Sequence, residues 1–306
     1  MDKRSQTMAA ARTDHRPFGA FCAVLAAGLF FGTALPTHAS QAPVSEIRVV
    51  VAAAASTLQA LNAAIAAYSH GNALPHRNIR VVPIYASSGA LARQIIAQGP
   101  AEIFISANPH WMNTVTKAGR VFPDTRQALI GNSLVLAAPR NSKLKITLKR
   151  GLNLYAVLNG GRLVTADPDY VPLGTYAKAA LQWLGAWDEI KNHLIRATDA
   201  ARARVLVEQG AVAAGILYAS DVAANPQLKL IASFPAESHP PAVYEIALIG
   251  STAPTSFGSI SQAARNFADW LLGKEGQKIF TRHGFIPAPK IKTPKIKAPK
   301  TKSMEL

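Results

Sequence analysis

The sequence predicts an α/β protein with parallel-type sheets flanked by helices. Segments rich in Val and Ile alternate with segments whose apolar residues recur at helical spacing, first over 47–127 and again over 162–218. Such alternation is typical of parallel strands joined by right-handed helical crossovers. The 49% content of hydrophobic residues supports a folded core of ample size.

The individual elements follow from the same patterns. EIRVVVA at 46–52 is Val-rich and suits a buried strand, and Leu58, Leu61, Ile65 and Tyr68 then mark a helix. The predicted strands are 46–52, 79–85, 103–106, 133–138, 162–166, 214–218, 228–234 and 243–250. The predicted helices are 57–68, 90–98, 110–117, 174–184, 199–209, 257–272 and 275–280.

A run of small residues ending in Ser stands at two strand-to-helix junctions, 53–56 and 86–88. A helix N-terminus carries free backbone N–H groups and a partial positive charge, and a Ser hydroxyl adds a further donor. In an open α/β sheet both junctions lie at the carboxyl ends of strands, where ligands bind. The pair predicts an anion site at Ser56 and Ser88. The alternative is that Ser caps each helix and Ala packs closely.

The N-terminus, 1–39, has the order of a secretory signal peptide. Basic residues precede an uncharged apolar run at 18–35, and Pro36 and the small residues up to Ala39 follow it. Ala42 is a second possible cleavage position, and the alternative is a retained membrane anchor. The single cysteine, Cys22, lies in this segment, which excludes an intramolecular disulfide and a cysteine metal site in the mature chain.

The formal net charge of +16 is spread unevenly along the chain. The tail, 290–306, holds six Lys and five net positive charges in a Lys/Pro repeat, which predicts disorder. The body, 40–289, keeps a net charge of +9, which favours long-range attraction of anions. We expect no nucleic-acid binding, because the tail lacks interleaved aromatic residues.

Seven segments resemble, in order and without large gaps, the periplasmic molybdate-binding proteins, the substrate-binding components of molybdate ABC importers. They are AAAS (53–56), YASSGALARQI (85–95), EIFISA (102–107), GNSLVLAAP (131–139), LNGGRL (158–163), DPDYVPLGTYAKAAL (167–181) and GILYASD (215–221). The resemblance implies a two-lobed periplasmic-binding-protein fold with a hinge between the lobes. Lobe I would comprise 40–128 and 231–289, and lobe II 129–230.

The resemblance also implies a ligand and its contacts. Molybdate, and also tungstate, would be bound as an oxyanion by hydroxyl and backbone N–H donors, without a cofactor and without direct metal ligands. The family positions fall on Ser56, Ser88, Leu173, Ala200 and Tyr218. Leu173 replaces a smaller family residue, and the sequence after Asp199 departs from the family pattern, so the register at Ala200 could be off by one.

The resemblance further implies that the protein is a periplasmic, monomeric receptor. Its partner would be the membrane permease of an ABC transporter. Three other classes remain open. A receptor for another tetrahedral oxyanion such as sulfate would have the same donors, and a surface interaction protein could keep a degenerate anion site. An enzyme is disfavoured, because HExxH, GxSxG and GxxxxGK[ST] are absent and the eight histidines are scattered; we assign no catalytic residue.

Overall fold

The computed structural model describes residues 46–70, 79–223, 225–250 and 261–289. The signal peptide expected at 1–39 and the tail expected at 290–306 lie outside these ranges, as does the start of the helix expected from 257. Within the described ranges, no helix combines the length and apolar character that a membrane span requires.

The strands match the Val-, Ile- and Leu-rich segments of the sequence, since β-branched and apolar side chains pack well on a pleated sheet. Their bounds are β1 Ile47–Ala54, β2 Ile79–Ala86, β3 Ile103–Ser106, β4 Gln127–Asn132, β5 Leu134–Pro139, β6 Leu163–Ala166, β7 Leu194–Ala197, β8 Ala214–Tyr218, β9 Leu228–Ser233, β10 Ala242–Leu248 and β11 Ile286–Pro287. Of these, β4, β7 and β11 were not predicted.

The helices begin and end at local signals. Asn108 caps one by accepting from the Trp111 N–H at 3.2 Å, with Pro109 in the first turn, and Gly185 ends another at φ +77°. The bounds are α1 Leu58–His70, α2 Ser88–Ile96, α3 Pro109–Lys117, α4 Leu154–Val157, α5 Pro172–Leu184, α6 Trp187–Ile190, α7 Ala200–Glu208, α8 Ala219–Ala223, α9 Gln262–Leu272 and α10 Lys274–Arg282.

The described strands form two sheets, in the orders β11-β4-β10-β3-β1-β2 and β7-β6-β8-β5-β9. The expectation of parallel sheets holds for β2-β1-β3 and for β7-β6-β8. The remaining pairs are antiparallel, so both sheets are mixed. Each antiparallel pair contains β4, β5 or β10, which are strands that flank the two points where the chain changes sheet.

The chain changes sheet at Ser133, between β4 and β5, and changes back between β9 and β10. The boundaries expected at 128/129 and 230/231 fall inside β4 and β9. The sequence of these strands does not indicate which of the two sheets each strand joins. We call the described residues within 46–132 and 242–289 lobe I, and the described residues within 134–233 lobe II. Two crossing segments of this kind form a hinge in many binding proteins.

A buried ion pair joins Arg126, the residue before β4, to Glu245 of β10 in lobe I. Arg126 donates from Nη2 to Glu245 Oε2 at 2.7 Å and to Oε1 at 3.0 Å, and the two side chains are 10% and 5% exposed. Arg126 Nη1 also donates to Asn113 Oδ1 at 2.7 Å. Such a pair is costly to break on one side, because the remaining charge stays buried without compensation.

Arg126→Met should therefore lower the free energy of unfolding by about 3–5 kcal/mol, since Glu245 is left as an uncompensated buried charge. Lys191→Met is the control: it removes an exposed partner of Asp188 and should cost no more than about 1 kcal/mol. Urea denaturation of both variants checks this. Equal stabilities for the two variants would contradict the prediction, and adding Glu245→Gln to Arg126→Met should restore part of the loss.

Candidate functional site

All five residues matched to the family's ligand positions line one cavity between the two lobes, whose empty space of about 200 Å³ includes the solvent at its opening. The cavity lies at the carboxyl ends of β1, β2, β6, β7 and β8, where the chain leaves each strand. The lining residues are Ala54, Ala55, Ser56, Ala86, Ser87, Ser88, Ala107, Val171, Pro172, Leu173, Ala200 and Tyr218.

The lining contains no charged side chain among these described residues. The available polar groups are the hydroxyls of serine and tyrosine and the backbone N–H groups at helix starts. These groups can donate to an anion, and the helix starts add a partial positive charge. The cavity is therefore suited to an oxyanion held by neutral donors.

Ser56 lies in a single 3-10 turn, Ala55–Thr57, directly after β1. Its Oγ lies 2.7 Å from the Oη of Tyr244, a fully buried residue of β10. Thr57 closes the turn by donating to the carbonyl of Ala54 at 2.8 Å. This turn holds the Ser56 hydroxyl at the cavity wall rather than in the helix that follows.

Ser88 is the first residue of α2, and capping is done by its neighbour. Ser87 Oγ accepts from the Ala90 N–H at 3.4 Å, so the capping alternative applies to Ser87 and not to Ser88. Ser88 Oγ accepts from the Ala107 N–H at 3.0 Å and the residue is 1% exposed. Because its oxygen already accepts a bond, its own hydrogen remains free to donate into the cavity.

The second lobe contributes the start of α5. Pro172 and Leu173 are its first residues, and no side chain caps it, so the Leu173 N–H has no acceptor within the helix. At Gly174 a Cβ would lie 2.3 Å from the carbonyl oxygens of Ala166 and Asp167, so only glycine allows this close packing against the end of β6. The Leu173 side chain is fully buried in the main core.

Ala200 is the first residue of α7, and Asp199 is its cap, accepting from the Arg202 N–H at 2.8 Å. Ala200 lines the cavity, whereas Ala201 lines a neighbouring crevice. The geometry thus favours the register that assigns Ala200 to the site.

Tyr218, the last residue of β8, is fully buried, and its hydroxyl has no hydrogen-bond partner among the described residues. Its ring packs edge-on against Tyr244, with 5.8 Å between centroids. Burial, and secondarily the neighbouring Tyr244, raises the pKa of Tyr218 well above its usual value, so the phenol keeps its proton. A buried donor without a partner is costly unless a ligand satisfies it.

Two hydrogen bonds cross between the lobes beside the cavity. Trp111 Nε1 donates to the carbonyl of Tyr170 at 3.0 Å, and Tyr176 Oη donates to the carbonyl of Ala107 at 3.4 Å. The indole also packs on Gly89, where a Cβ would lie 2.7 Å from the ring. These contacts link the two lobes beside the cavity.

A second crevice of about 310 Å³ adjoins the cavity, and Ser56 lines both. It contains Asp221, whose Oδ2 accepts from the Tyr218 N–H at 3.3 Å, together with Arg204 and His283. Burial raises the pKa of Asp221 to about 7 from its ordinary 3.8, while Arg204 and the Tyr218 N–H oppose the rise and Asp199 adds to it. The described residues contain no group of three or more His, Cys, Asp or Glu that could hold a metal ion.

Sequence reasoning missed the side chains that support the site from behind. Tyr244 and Asn132 were assigned no role, yet Tyr244 contacts Ser56, and Asn132 Nδ2 lies 3.4 Å from Tyr244 Oη. Tyr244 lies within a strand whose residues are all buried, so its hydroxyl looks like that of an ordinary core tyrosine. Asn132 gave no signal either, because the strand that it ends, β4, was not predicted.

The fold and the cavity together define a solute-binding protein. Residues 49–286 match the family of bacterial extracellular solute-binding proteins, and the chain belongs to that family. The molybdate-binding protein ModA of Escherichia coli K12 is 39% identical over 259 residues, which cover 84% of this chain and 96% of that protein. The molybdate-binding protein ModA of Haemophilus influenzae is 34% identical over 264 residues, which cover 86% and 95%.

A solved structure agrees with this assignment at the level of the fold. The periplasmic molybdate-binding protein of Azotobacter vinelandii aligns with a TM-score of 0.65 at 22% identity, covering 80% of this chain and all of that one. The resemblance predicted from the sequence and the two-lobed α/β fold are confirmed. The expectation that the protein is not an enzyme is confirmed by its family.

Asp221→Asn should change how stability depends on pH. Because the pKa is raised in the folded state, the unfolded chain loses this proton first, and stability falls as the pH rises from about 4 to about 7. The amide cannot ionise, so the variant should melt several degrees above the wild type at pH 8, with the gap closing at pH 4.5. Thermal melts across this range measure the gap, and Asp188→Asn, at an exposed side chain, is the control. A gap that does not change with pH would contradict the prediction.

Proposed function

We propose that this protein is a periplasmic receptor for molybdate, which it delivers to the membrane permease of an ABC importer. The observation that carries the proposal is the buried hydroxyl of Tyr218, which lacks a partner among the described residues and lines a cavity shared by both lobes. The two relatives named for molybdate binding align with this chain over nearly their whole length. Ser56, Ser88, Leu173, Ala200 and Tyr218 would supply the donors.

The chemistry of the lining favours a fully deprotonated oxyanion. Molybdate and sulfate carry no proton at pH 7, so every oxygen can accept a hydrogen bond and none needs an acceptor. Phosphate retains at least one proton near neutral pH. The P–OH group would then face hydrogen-bond donors and would find no acceptor. Several hydrogen bonds to a charged ligand, each about 1.5–3 kcal/mol net, offset desolvation and the closing of the lobes.

The cavity must discriminate among the remaining oxyanions by their size, because molybdate, tungstate and sulfate share charge and shape. Tungstate is nearly the size of molybdate and should bind alongside it. Leu173 bears on this discrimination, since the family has a smaller side chain there. The side chain is buried in the core, and Leu173 lines the cavity from the first turn of α5, where its backbone N–H has no acceptor within the helix. A substituted side chain at this position is therefore compatible with a molybdate-sized ligand.

Isothermal titration of the purified protein with molybdate, tungstate, sulfate and phosphate tests the proposal. We expect 1:1 binding of molybdate and tungstate with a Kd between about 1 μM and about 1 nM, and far weaker heat with the other two. Binding of sulfate alone would assign the receptor to the smaller oxyanion. No heat with any of the four would overturn the proposal and support a degenerate site.

Tyr218→Phe should have opposite effects on binding and on stability. Loss of a hydrogen bond to a charged ligand should weaken molybdate binding about 10- to 100-fold. The unliganded variant should melt at the same temperature as the wild type or higher, because the removed hydroxyl has no partner in the described structure. Titration and thermal melts without ligand measure the two effects.

Tyr155→Phe is the matched control, since Tyr155 stacks on His193 away from the cavity, with 4.1 Å between ring centroids. It should leave molybdate affinity unchanged. If Tyr218→Phe binds molybdate as the wild type does, the phenol is not a ligand donor and the proposed contact set is wrong.

A further inference from the structure

Four polar side chains form a connected chain behind the cavity wall. Ser56 Oγ lies 2.7 Å from Tyr244 Oη, and Asn132 Nδ2 lies 3.4 Å from the same Tyr244 Oη and 2.8 Å from Ser220 Oγ. Tyr244, Asn132 and Ser220 are buried. These four side chains connect Ser56 of lobe I to α8 of lobe II through Asn132. Asn132 is the last residue before the polypeptide changes sheet.

The orientation of the Asn132 amide follows from its backbone partners. Its Oδ1 accepts from the Ser133 N–H at 3.0 Å and from the Ser220 N–H at 3.4 Å. A backbone N–H can only donate, so the amide oxygen must face these two groups. The Nδ2 group therefore faces Tyr244 and can only donate to it.

This orientation sets the direction of the next two hydrogen bonds. Ser56 Oγ and Tyr244 Oη are each able to donate across their 2.7 Å contact, but Tyr244 Oη already receives a hydrogen from Asn132. This favours donation of its own single hydrogen to Ser56 Oγ, the stronger contact, over donation to the neighbouring Tyr218 hydroxyl. Burial raises the pKa of Tyr244 far above its usual value, so the phenol retains the hydrogen that it donates. With its oxygen already accepting, the Ser56 hydroxyl is left to donate its hydrogen into the cavity.

The hydroxyl oxygen of Ser88 also accepts a hydrogen bond, from a backbone N–H instead of a tyrosine. Ser88 Oγ accepts from the Ala107 N–H, which leaves its own hydrogen available to donate into the cavity. If Ser56 instead donated to Tyr244, its lone pairs would face the oxyanion and repel it. The direction of the Tyr244–Ser56 bond thus decides whether Ser56 favours or opposes a bound anion.

We infer that Tyr244 and Asn132 are positioning residues that turn the Ser56 hydroxyl hydrogen toward the ligand, so that the cavity favours fully deprotonated oxyanions over protonated ones. The inference rests on the proposed function and deepens it. Neither residue lines the cavity, so both act through Ser56. Hydrogen bonds linked in series polarise one another, which strengthens the last one in the chain.

A double-mutant cycle tests the inference with Ser56→Ala, Tyr244→Phe and both together. Molybdate affinity is measured by titration, and phosphate affinity by the concentration that displaces molybdate. Tyr244→Phe should weaken molybdate binding by about 3- to 10-fold, and Ser56→Ala by about 10-fold or more. The double variant should match Ser56→Ala within about twofold, since the two residues act through one bond.

The ratio of the two affinities separates positioning from loss of structure. In Tyr244→Phe the Ser56 oxygen is free to accept a proton from hydrogen phosphate, so the preference for molybdate over phosphate should fall by at least about threefold. A general loosening of the cavity would weaken both oxyanions alike. Tyr85→Phe is the control, because it removes a tyrosine hydroxyl that donates to Asn62 at 2.7 Å, at the end of β2, and it should change neither affinity.

Additive effects in the cycle, or an unchanged ratio of affinities in Tyr244→Phe, would overturn the inference. Asn132→Asp is the second variant: a carboxylate oxygen facing Tyr244 would accept the phenol hydrogen and reverse the chain, so molybdate affinity should fall by at least about 10-fold. Unchanged affinity in this variant would also overturn the inference. If the wild type binds molybdate and the variants behave like it, the inference alone fails; if the wild type binds none of the four oxyanions, the proposed function fails with it.

Discussion

An oxyanion that leaves water inside a protein must regain its solvation from fixed dipoles, and this requirement explains how the cavity is built. The described lining has no cation, so the replacement comes from hydroxyls and from the free N–H groups of helix starts. One such group cannot offset desolvation alone. The site therefore needs several chain segments that all begin a turn or a helix at one place, which the carboxyl ends of parallel strands provide.

The small residues at these strand ends are a consequence of the same requirement. Backbone N–H groups reach a ligand only if no side chain stands between, and Ala54, Ala55, Ala86 and Ala107 line the cavity with a single methyl group each. Gly174 has the stricter role of letting α5 begin against the carbonyls that end β6. Leu173 is compatible with this scheme because a helix directs a side chain and its N–H differently, and the side chain is buried in the core.

Local pattern and physical chemistry predicted part of this site, and the reasons for the limit are visible in particular residues. Ser56 and Ser88 could be identified because a strand, small residues, Ser and a helix form one continuous signal. Leu173 and Ala200 carry no chemical signature and came from family resemblance alone. Tyr244 was missed because its partner Ser56 lies 188 residues away, and no local pattern reports which hydroxyl a buried tyrosine meets. The antiparallel pairing of β10 with β3 and β4 was missed for the same reason, since it joins residues that are far apart in the sequence.

A neutral lining also suits a receptor that must release what it binds. A buried cation would attract the anion more strongly, but it would stand uncompensated whenever the cavity is empty, at a cost of several kcal/mol. The cost of a neutral site is smaller, since the empty cavity leaves donors such as the Tyr218 hydroxyl without a partner. The charged groups that adjoin the site, Asp221 and Arg204, are in the neighbouring crevice and have each other nearby. On the proposed function, selection against protonated oxyanions then depends on the direction of neutral hydroxyls, which neighbours such as Tyr244 and the Ala107 N–H influence by bonding to the hydroxyl oxygens.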